Sequence, residues 1–383
     1  MASYNNEPAR NPNMTINCKE PFNAEPPTTV LREHFVTPND QFYIRNHAPV
    51  PSLDGRTHRV TVDGLVPRPL ELTAEQLRTW FPQATVMATL MCAGNRRTEM
   101  SAIKQVRGVV WGHAAVSNAI WRGPRLRDVL LMAGIEKLES RWEDLHVDFE
   151  GVDVCKEDRG YGSSIPLLKA LDPRGDAIVA LEMNGSELPR DHGYPMRIVV
   201  PGVVGARSVK WLKSISVLGH ESTNYFQKRD YKLFLPHVDW DTIDDWWEKS
   251  PSIQEIPVQA AATRPQQGEA ITPGTPYTIK GYALSGGGRK IIRVDVSLDG
   301  GKRWDVARLF TKVNENQTKA NTKWSWEFWE FPVKAFPAPC EVVVRAWDDA
   351  SNTMPDDISS IWNLRGVLNN SWVRIKVPAK AKI

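Results

Sequence analysis

The segment Lys290–Leu309, "KIIRVDVSLDGGKRWDVARL", contains two apolar-rich runs on either side of an Asp-Gly-Gly sequence. Alternation of apolar and polar residues is typical of a strand with one buried face, and a short glycine-containing turn joins antiparallel strands. The segment therefore predicts a β-hairpin, and its surroundings decide what kind of domain contains it.

Strand patterns continue on both sides of this hairpin. Tyr277–Leu284 precedes it, and Lys323–Val333 and Cys340–Ala350 follow it. Strict alternation within Lys323–Val333 predicts that three bulky rings share one face: Trp324, Trp326 and Phe328. Five or more short strands with turn signals and without a helix pattern predict an all-β sandwich. The ordinary expectation for such a domain is a scaffold.

The first part of the chain mixes helix and strand patterns. Thr73–Phe81 begins with a capping residue and has a glutamate in its first turn, and Gly123–Ile135 combines helical periodicity with a glycine near its end, so both predict helices. Thr57–Leu65 and Asp176–Gly185 have the pattern of strands. The fold class expected for this part is α+β.

The expected organisation is an N-terminal arm (1–20), an α+β domain (21–250) and a β-sandwich (251–383). The arm is polar and rich in proline and asparagine. The segment Pro236–Pro257 is acidic, aromatic and irregular, which indicates a connector between the two domains.

Bulk composition excludes several classes of function. The 383 residues carry a net charge of +3, which indicates no nucleic-acid-binding tail or strongly basic face. No apolar run is long enough to cross a membrane, and the N-terminus has no apolar signal core. The spacing of Cys18, Cys92, Cys155 and Cys340 fits neither a CxxC metal site nor a disulfide framework, so we expect a reducing compartment.

Cys92 opens the segment "CAGNRRTEM", in which Arg96 and Arg97 could lower the pKa of the thiol. Gly94 would let the backbone approach another group closely. From these residues alone Cys92 is a nucleophile, a soft metal ligand or a buried apolar thiol. The segment offers no histidine base for a nucleophile. A soft metal ligand beside an arginine-lined anion pocket is chemically coherent.

Three other segments concentrate groups that suit an anion. Arg45, Asn46 and His47 lie between aromatic residues and prolines, and His47 taken alone would be a hydrogen-bonded structural residue. Asp191–Trp211 pairs a glycine-rich turn with basic residues that suit a phosphate, namely His192, Arg197, Arg207 and Lys210. Arg365 sits among apolar residues, where an arginine normally needs an anionic partner.

Six motifs resemble, in order, those of the eukaryotic sulfite oxidase family of molybdenum enzymes, and the resemblance runs from about Lys19 to Val377. They are "FYIRNH" (42–47), "CAGNRRTEM" (92–100), "DHGYPMRIVVPGVVGARSVKW" (191–211), "RDYKLF" (229–234), "PSIQEIPVQ" (251–259) and "IWNLRGVLNNSW" (361–372). The resemblance implies a mixed α/β molybdopterin-binding domain followed by an immunoglobulin-like dimerisation domain. It also implies one molybdenum–molybdopterin per chain and a homodimer.

The resemblance assigns roles residue by residue. Cys92 is implied as the thiolate ligand of molybdenum. The residues implied at the anion pocket are Arg45, Arg97, Arg365, Tyr231 and Trp111. The residues implied in pterin binding are Arg45, Asn46, His47, Cys92, Asp153, His192, Arg197, Ser208, Val209 and Lys210. Ser208 stands where some members of the family have histidine, which puts one hydrogen bond in doubt.

The activity implied is oxidation of sulfite to sulfate. Nitrate reductases share the molybdenum domain but resemble a version with methionine at the position of Arg365, so this arginine favours the more highly charged sulfite. The chain has no His-Pro-Gly-Gly haem motif, and we expect neither haem nor flavin. A non-catalytic pterin-binding dimer is the alternative from another class.

The short segment before the molybdenum domain resembles the layout of the plant-type enzyme, which passes electrons to oxygen and makes hydrogen peroxide. A separate electron acceptor is the alternative. The chain ends in Ala381-Lys382-Ile383, which loosely fits the small–basic–apolar pattern of a peroxisomal import signal. We therefore expect a peroxisomal protein, with the cytosol as the alternative, and neither nucleic acid nor membrane as a partner.

Overall fold

The computed structural model describes residues 3–311 and 321–380. These residues form four short α-helices: α1 (Ala74–Thr79), α2 (Arg97–Ile103), α3 (Leu126–Met132) and α4 (Leu167–Leu171). The strands of the first part of the chain are β1 (Thr15–Cys18), β2 (Asn23–Glu25), β3 (Ile44–Arg45), β4 (Arg59–Gly64), β5 (Leu70–Thr73), β6 (Gln83–Met91), β7 (Val116–Pro124), β8 (His146–Val154), β9 (Gly160–Pro166), β10 (Ile178–Ala180), β11 (Glu182–Met183), β12 (Ser186–Glu187), β13 (Arg197–Val199) and β14 (Leu212–Leu218).

The strands of the second part are β15 (Gln259–Arg264), β16 (Tyr277–Leu284), β17 (Ile291–Ser297), β18 (Asp305–Val306), β19 (Arg308–Phe310), β20 (Asn321–Trp324), β21 (Glu327–Val333), β22 (Cys340–Asp348) and β23 (Val373–Val377). They form two four-stranded sheets, ordered β15-β16-β21-β19 and β18-β17-β22-β23, with β20 apart from both. Apolar side chains of both sheets share one core. This arrangement confirms the predicted all-β sandwich.

The first part is built on two five-stranded sheets, ordered β12-β11-β7-β6-β20 and β5-β4-β14-β8-β9. A three-stranded sheet, β1-β2-β3, and a two-stranded pair, β10-β13, complete it. The short helices pack against these sheets around one apolar core. The predicted α+β class is therefore confirmed.

The two predicted helices form, with corrected boundaries. Thr73 caps α1 through a capping box whose second partner is Gln76, one residue beyond the glutamate used in the prediction. The predicted helix at 123–135 begins only at Leu126, because Gly123 and Pro124 are the last residues of β7. Backbone pairing along β7 thus overrides the helical periodicity at that boundary. The helices α2 and α4 were not predicted.

The prediction that Trp324, Trp326 and Phe328 share one face is wrong for Trp324. Strand β20 ends at Trp324 and pairs in parallel with β6 of the first part. Trp324 therefore packs in a different apolar cluster from Trp326 and Phe328. The tryptophans of this segment, Trp324, Trp326 and Trp329, are all buried within the chain. They offer no exposed surface for a partner.

Residues 3–20 do not form a separate arm. Strands β1 and β2 pair across the predicted boundary at residue 20. Arg10 binds both carboxylate oxygens of Asp191 at 2.9 Å, and the Glu7 carboxylate accepts a hydrogen bond of 2.8 Å from the amide of Val50. A buried carboxylate needs such a partner, so Arg10 ties this segment to the α+β part.

The two parts of the chain share a core. Ala261, Tyr282, Trp326 and Phe328 of the second part belong to the same buried apolar cluster as β4, β8 and β14 of the first. Burial of apolar surface is the main favourable term in folding, so the two parts are expected to unfold together. Within residues 3–311 and 321–380, no helix is long and apolar enough to cross a membrane.

Candidate active site

A cavity in the α+β part encloses about 650 Å³ of empty space, including its opening to solvent. Its lining contains eleven of the residues implied by the family resemblance: Arg45, Asn46, His47, Cys92, Asp153, His192, Arg197, Ser208, Val209, Lys210 and Tyr231. Arg97, Trp111 and Arg365 lie outside this lining. The fold therefore gathers residues that are up to 186 positions apart in the chain around one space.

Cys92 directly follows strand β6 and is 5% exposed. Its amide donates a hydrogen bond of 2.9 Å to the carbonyl of Ala115, which extends the pairing of β6 with β7 by one step. The amide of Gly94 donates to Cys92 Sγ at 3.4 Å. The backbone thus fixes the sulfur at the end of a central strand, where it faces the cavity.

The adjacent arginines after Cys92 extend to different surroundings. Arg96 is fully buried and binds Glu99 at 2.8 and 2.6 Å, and it donates to the carbonyl of Ser371 at 2.8 Å. Burial alone would raise the pKa of Glu99, but Arg96 and His113 lower it well below its usual range. Arg96 therefore joins the two parts of the chain.

The Arg97 guanidinium is hydrogen-bonded to backbone carbonyls and packs closely against glycines. Its Nη1 donates to the carbonyl of Val109 at 2.7 Å and its Nε to that of Gly366 at 3.0 Å. A Cβ atom at Gly94 would lie 2.6 Å from Arg97 Cζ, and one at Gly108 would lie 2.6 Å from Nη1. A side chain at position 94 would therefore collide with Arg97. Gly94 was expected to let another group come close to the backbone, and that group is the Arg97 guanidinium.

His47 and Tyr231 meet across the cavity. His47 Nε2 lies 3.0 Å from the Tyr231 hydroxyl, and the Tyr161 ring lies 4.6 Å from the His47 ring. Burial, followed by the charges of Arg45, Lys210 and Arg365, lowers the pKa of His47 well below its usual value. His47 is therefore neutral at pH 7, and burial likewise raises the pKa of Tyr231 and keeps its hydroxyl protonated.

Arg45 completes this group. It donates to the side chain of Asn23 at 3.2 Å and to the carbonyl of Asn46. Burial alone would lower the pKa of Arg45, but Tyr231 and Cys92 raise it. A permanent cation thus lies among Cys92, His47 and Tyr231.

Polar groups of opposite charge line another side of the cavity. Lys210 Nζ donates to the Asp191 carbonyl at 2.7 Å and to Asn46 Oδ1, and Asn46 Nδ2 donates to the Asp191 carboxylate at 3.1 Å. Burial raises the pKa of Asp153 and lowers that of Lys210. Asp153 Oδ1 is buried without a hydrogen-bond partner among the described residues. Such an oxygen requires a donor from a bound molecule or water.

Arg197 and His192 form the third side. Arg197 donates to the carbonyls of His192 at 3.0 Å and Ser208 at 2.9 Å, and burial lowers its pKa to about 10, so it stays charged at pH 7. His192 Nε2 lies 3.1 Å from the carbonyl of Asn39, and burial lowers the pKa of His192 to about 4. The Ser208 hydroxyl accepts from the amide of Val200 at 3.1 Å, and the carbonyl of Val209 accepts from the amide of Ile198 at 2.8 Å.

Arg365 forms an ion pair with Asp230, the residue before Tyr231. Burial first, then the charge of Arg97, lowers the pKa of Arg365 to about 10. Trp111 is fully buried in the apolar cluster that contains Cys92, and its Nε1 has no partner among the described residues. The buried arginine thus has the anionic partner that its sequence context requires.

Several residues in or near the cavity were not predicted from the sequence. Asp191 and Tyr161 line it, and Asp230 pairs with Arg365. Asp191 begins one motif that was already singled out and Asp230 is the second residue of another, so their positions carried a usable signal, whereas Tyr161 and Arg10 had none. Arg207 was wrongly grouped with the anion-binding residues. Its guanidinium donates to Ser163 at 2.7 Å and to the carbonyls of Ile253 and Tyr231 at 2.9 and 3.2 Å.

The cavity fits a metal that is carried by an anionic organic cofactor. No three of the described His, Cys, Asp and Glu residues lie together as a protein-only metal site. A metal at Cys92 would therefore have one protein ligand and take its other ligands from a bound molecule. The unpartnered Asp153 oxygen and the basic side chains of Arg45, Arg197 and Lys210 supply groups for a polar ring system and a phosphate.

Two protein-family models match the chain. One, described as an oxidoreductase molybdopterin binding domain, matches residues 47–226, and the other, a Mo-co oxidoreductase dimerisation domain, matches residues 250–380.

The chain is 50% identical to a sulfite oxidase of Gallus gallus over 370 residues, 96% of this chain and 78% of that protein. It is 46% identical to a sulfite oxidase of Arabidopsis thaliana over 382 residues, 98% of this chain and 96% of that protein. Among solved structures, the sulfane dehydrogenase SoxCD of Paracoccus pantotrophus is similar with a TM-score of 0.75 and 26% identity, covering 97% of this chain and 86% of that one.

Proposed function

Because this chain belongs to the sulfite oxidase family of molybdenum-dependent oxidoreductases, we propose that it oxidises sulfite to sulfate at a molybdenum–molybdopterin centre bound in the cavity. The observation that carries this proposal is the convergence of Cys92, Arg45 and Tyr231 on one buried space that also contains neutral His47. A soft thiolate beside fixed cations suits a metal that acts on an oxyanion.

The residues proposed to hold the cofactor surround the cavity. Cys92 would supply the thiolate ligand. The residues that would bind the pterin and its phosphate are Arg45, Asn46, His47, Asp153, His192, Arg197, Ser208, Val209 and Lys210. When bound, this cofactor supplies the two-electron redox change and the oxygen-atom transfer. We propose one cofactor per chain, bound by the domain that spans residues 21–250. Residues 251–383 are proposed to form the dimerisation domain.

The protein's own groups bind and orient the substrate. Arg45, Arg97 and Arg365 offset the two negative charges of sulfite, because desolvated guanidinium–oxyanion pairs are strong and directional. The Tyr231 hydroxyl is protonated and can donate a hydrogen bond to an oxygen of the substrate while His47 Nε2 fixes its direction. Trp111, which is buried in the same apolar cluster as Cys92, is proposed to line the substrate pocket.

The choice of sulfite over nitrate rests on Arg365. Sulfite carries two negative charges and nitrate one, so a third arginine favours sulfite. The ion pair with Asp230 stabilises Arg365 in the absence of substrate, when this charge would otherwise be buried without a partner.

We propose oxygen as the electron acceptor. One sulfite, one water and one dioxygen would give one sulfate and one hydrogen peroxide, which balances atoms and electrons. The likeness to the Arabidopsis sulfite oxidase along almost its whole length supports this choice. Reduction of the enzyme by sulfite under anaerobic conditions, followed by stopped-flow mixing with oxygen, tests it. Slow reoxidation by oxygen would instead favour a separate acceptor protein.

We propose a homodimer that forms through the second domain. The match of residues 250–380 to a dimerisation domain supports it. Light scattering at micromolar concentration tests it, and a mass of one chain would exclude it.

Peroxisomal import is proposed for this protein, with the cytosol as the alternative. The tripeptide Ala381-Lys382-Ile383 lies outside the residues that the structure describes. A fluorescent protein that ends in the last ten residues should enter peroxisomes, and the same fusion without the tripeptide should stay in the cytosol. Cytosolic fluorescence of both fusions would support the alternative.

Metal analysis and a sulfite assay test the central proposal. Purified protein should contain one molybdenum per chain, show no haem or flavin absorbance, and oxidise sulfite in preference to reducing nitrate. Protein without molybdenum and without sulfite-dependent turnover would support a non-catalytic dimer, and a preference for nitrate would reverse the choice of substrate.

A further inference from the structure

The guanidinium groups of Arg107 and Arg365 share one aromatic ring. Cζ of Arg107 lies 4.1 Å from the ring centroid of Trp240, and Cζ of Arg365 lies 5.9 Å from the same centroid. These two distances limit the separation of the two carbons to about 10 Å. Arg107 is exposed, whereas Arg365 lies mostly buried beside Asp230. Trp240 thus links a surface cation to one inside the protein.

The backbone at Arg107 belongs to the structure that holds the substrate arginines. The amide of Arg107 donates to the carbonyl of Leu364, next to Arg365, at 3.4 Å. Two residues later, the carbonyl of Val109 accepts from Arg97 Nη1 at 2.7 Å. These hydrogen bonds fix the backbone at Arg107 relative to both Arg97 and Arg365.

Trp240 is itself held in place. It is half-buried and packs against a small apolar cluster that contains Phe234, Ile243, Trp362 and Leu364. A guanidinium stacked on a ring keeps its N–H edge free for an oxyanion, and stacking reduces the freedom that binding would otherwise remove. The ring thus presents the Arg107 guanidinium in a restricted orientation.

Arg107 has an uncompensated charge. In the described part of the chain, no carboxylate oxygen lies within 4.0 Å of its guanidinium, although the connector that carries Trp240 is acidic. Burial comes first among the causes that lower the pKa of Arg365, and the charges of Arg97, Arg45 and Arg107 act in the same direction. The positive charge of Arg107 therefore acts on Arg365 and helps to lower its pKa.

We propose that Arg107, stacked on Trp240, is an outer binding station that captures a small divalent oxyanion and passes it to Arg365. The inference rests on the proposed oxidation of sulfite. The station raises the local concentration of the dianion at the surface beside Arg365, because an exposed charge attracts ions within a Debye length of about 8–10 Å. Arg365 then exchanges its contact with Asp230 for the incoming oxyanion.

Steady-state kinetics of the molybdenum-loaded Arg107→Gln enzyme test this. At low ionic strength, kcat/KM for sulfite should fall about fourfold, the effect of one charge about 10 Å from a dianion in water. The decrease should lie in KM with kcat unchanged, and it should disappear near 1 M salt, where the Debye length is about 3 Å. The inhibition constant of sulfate, another dianion, should rise in parallel.

Two further variants separate the charge from its platform and from general effects. Trp240→Leu keeps the arginine but removes the ring, so KM should rise with kcat unchanged. Arg174→Gln removes an 88% exposed arginine whose ion pair, with Asp172 at 3.6 Å, lies at the surface. This control should leave kcat/KM unchanged.

The outcomes distinguish this inference from the proposed function. A wild-type enzyme without sulfite turnover would overturn the proposed function. An active wild type with equal kcat/KM in the Arg107→Gln and Arg174→Gln enzymes would overturn the outer station alone. A loss in kcat that is independent of salt would also overturn it, because it would show that Arg107 only supports the fold.

Discussion

The hydroxyl of Tyr282, in the β-sandwich, accepts a hydrogen bond of 3.1 Å from Asn95, three residues after Cys92. The same hydroxyl donates to the carbonyl of His113 at 2.7 Å. Asn95 in turn accepts from the amide of Ala115 at 3.1 Å. One side chain of the second domain therefore holds the loop that carries Cys92. The second domain thus supports the site directly, through a side chain that reaches the loop of the metal ligand proposed above.

Tyr282→Phe should lower the free energy of unfolding by about 1–3 kcal/mol, because it leaves buried hydrogen-bonding groups unsatisfied. Turnover should also fall, since the loop loses a constraint. Denaturant unfolding and a sulfite assay measure both effects. Tyr277→Phe, which removes a half-buried bond of 2.8 Å to Glu269, is the matched control. Equal effects in both variants would contradict the special role of Tyr282.

Gly94→Ala should impair sulfite binding, because the new Cβ would lie 2.6 Å from Arg97 Cζ and would displace the guanidinium. Losing one buried charge partner of an oxyanion costs about 2–5 kcal/mol, which corresponds to a rise in KM of about 30-fold or more. The control is Gly219→Ala, where a Cβ meets nothing within 4 Å. A normal KM in Gly94→Ala would place Arg97 outside the substrate pocket.

Cys92→Ser should lower sulfite oxidation by several orders of magnitude while the fold persists. The reason is that a hydroxyl is a harder and more basic ligand than a thiolate. Circular dichroism and the sulfite assay measure the two properties separately. The cofactor should still bind through the other residues of the cavity. Near-normal turnover would refute Cys92 as the metal ligand.

Arg365→Met should weaken sulfite binding by about 30- to 4000-fold, because it removes a buried partner of the oxyanion. It also leaves Asp230 without its ion-pair partner. The double variant Arg365→Met/Asp230→Asn separates the two effects, since it should recover stability but not sulfite affinity. Recovery of affinity in the double variant, or an unchanged KM in the single one, would show that Arg365 is structural.

The buried side chain of His192 should make the folded protein less stable in acid. Burial lowers its pKa from an unfolded value of 6.5 to about 4, so the unfolded chain binds the proton more readily. The contribution to stability is complete above pH 6.5 and is lost as the pH falls through 4, with a size of about 3 kcal/mol. Denaturant unfolding at pH 7 and pH 4.5 should show a smaller difference for His192→Gln than for wild type. The exposed His220→Gln is the control and should behave as wild type.

The local pattern of the chain was enough for the sandwich hairpin, for α1 and for the cap at Thr73, because period-two alternation and a capping box act over a few residues. It was not enough for the end of β7 or for strand β20, because hydrogen bonds to distant strands decide both. Residue 324 pairs with residue 88, and no local signal reports a partner 236 positions away.

The motifs predicted most of the residues that gather at the cavity, but Arg97 and Arg365 lie outside its lining and Tyr161 lines it without a motif. Tertiary structure alone decided what each side chain does there. Arg96 and Arg97 are adjacent, yet one binds Glu99 and the other is confined by Gly94, Gly108 and Gly366. Charge alone cannot separate two neighbouring arginines, because their directions depend on backbone dihedral angles and on distant segments that close around them.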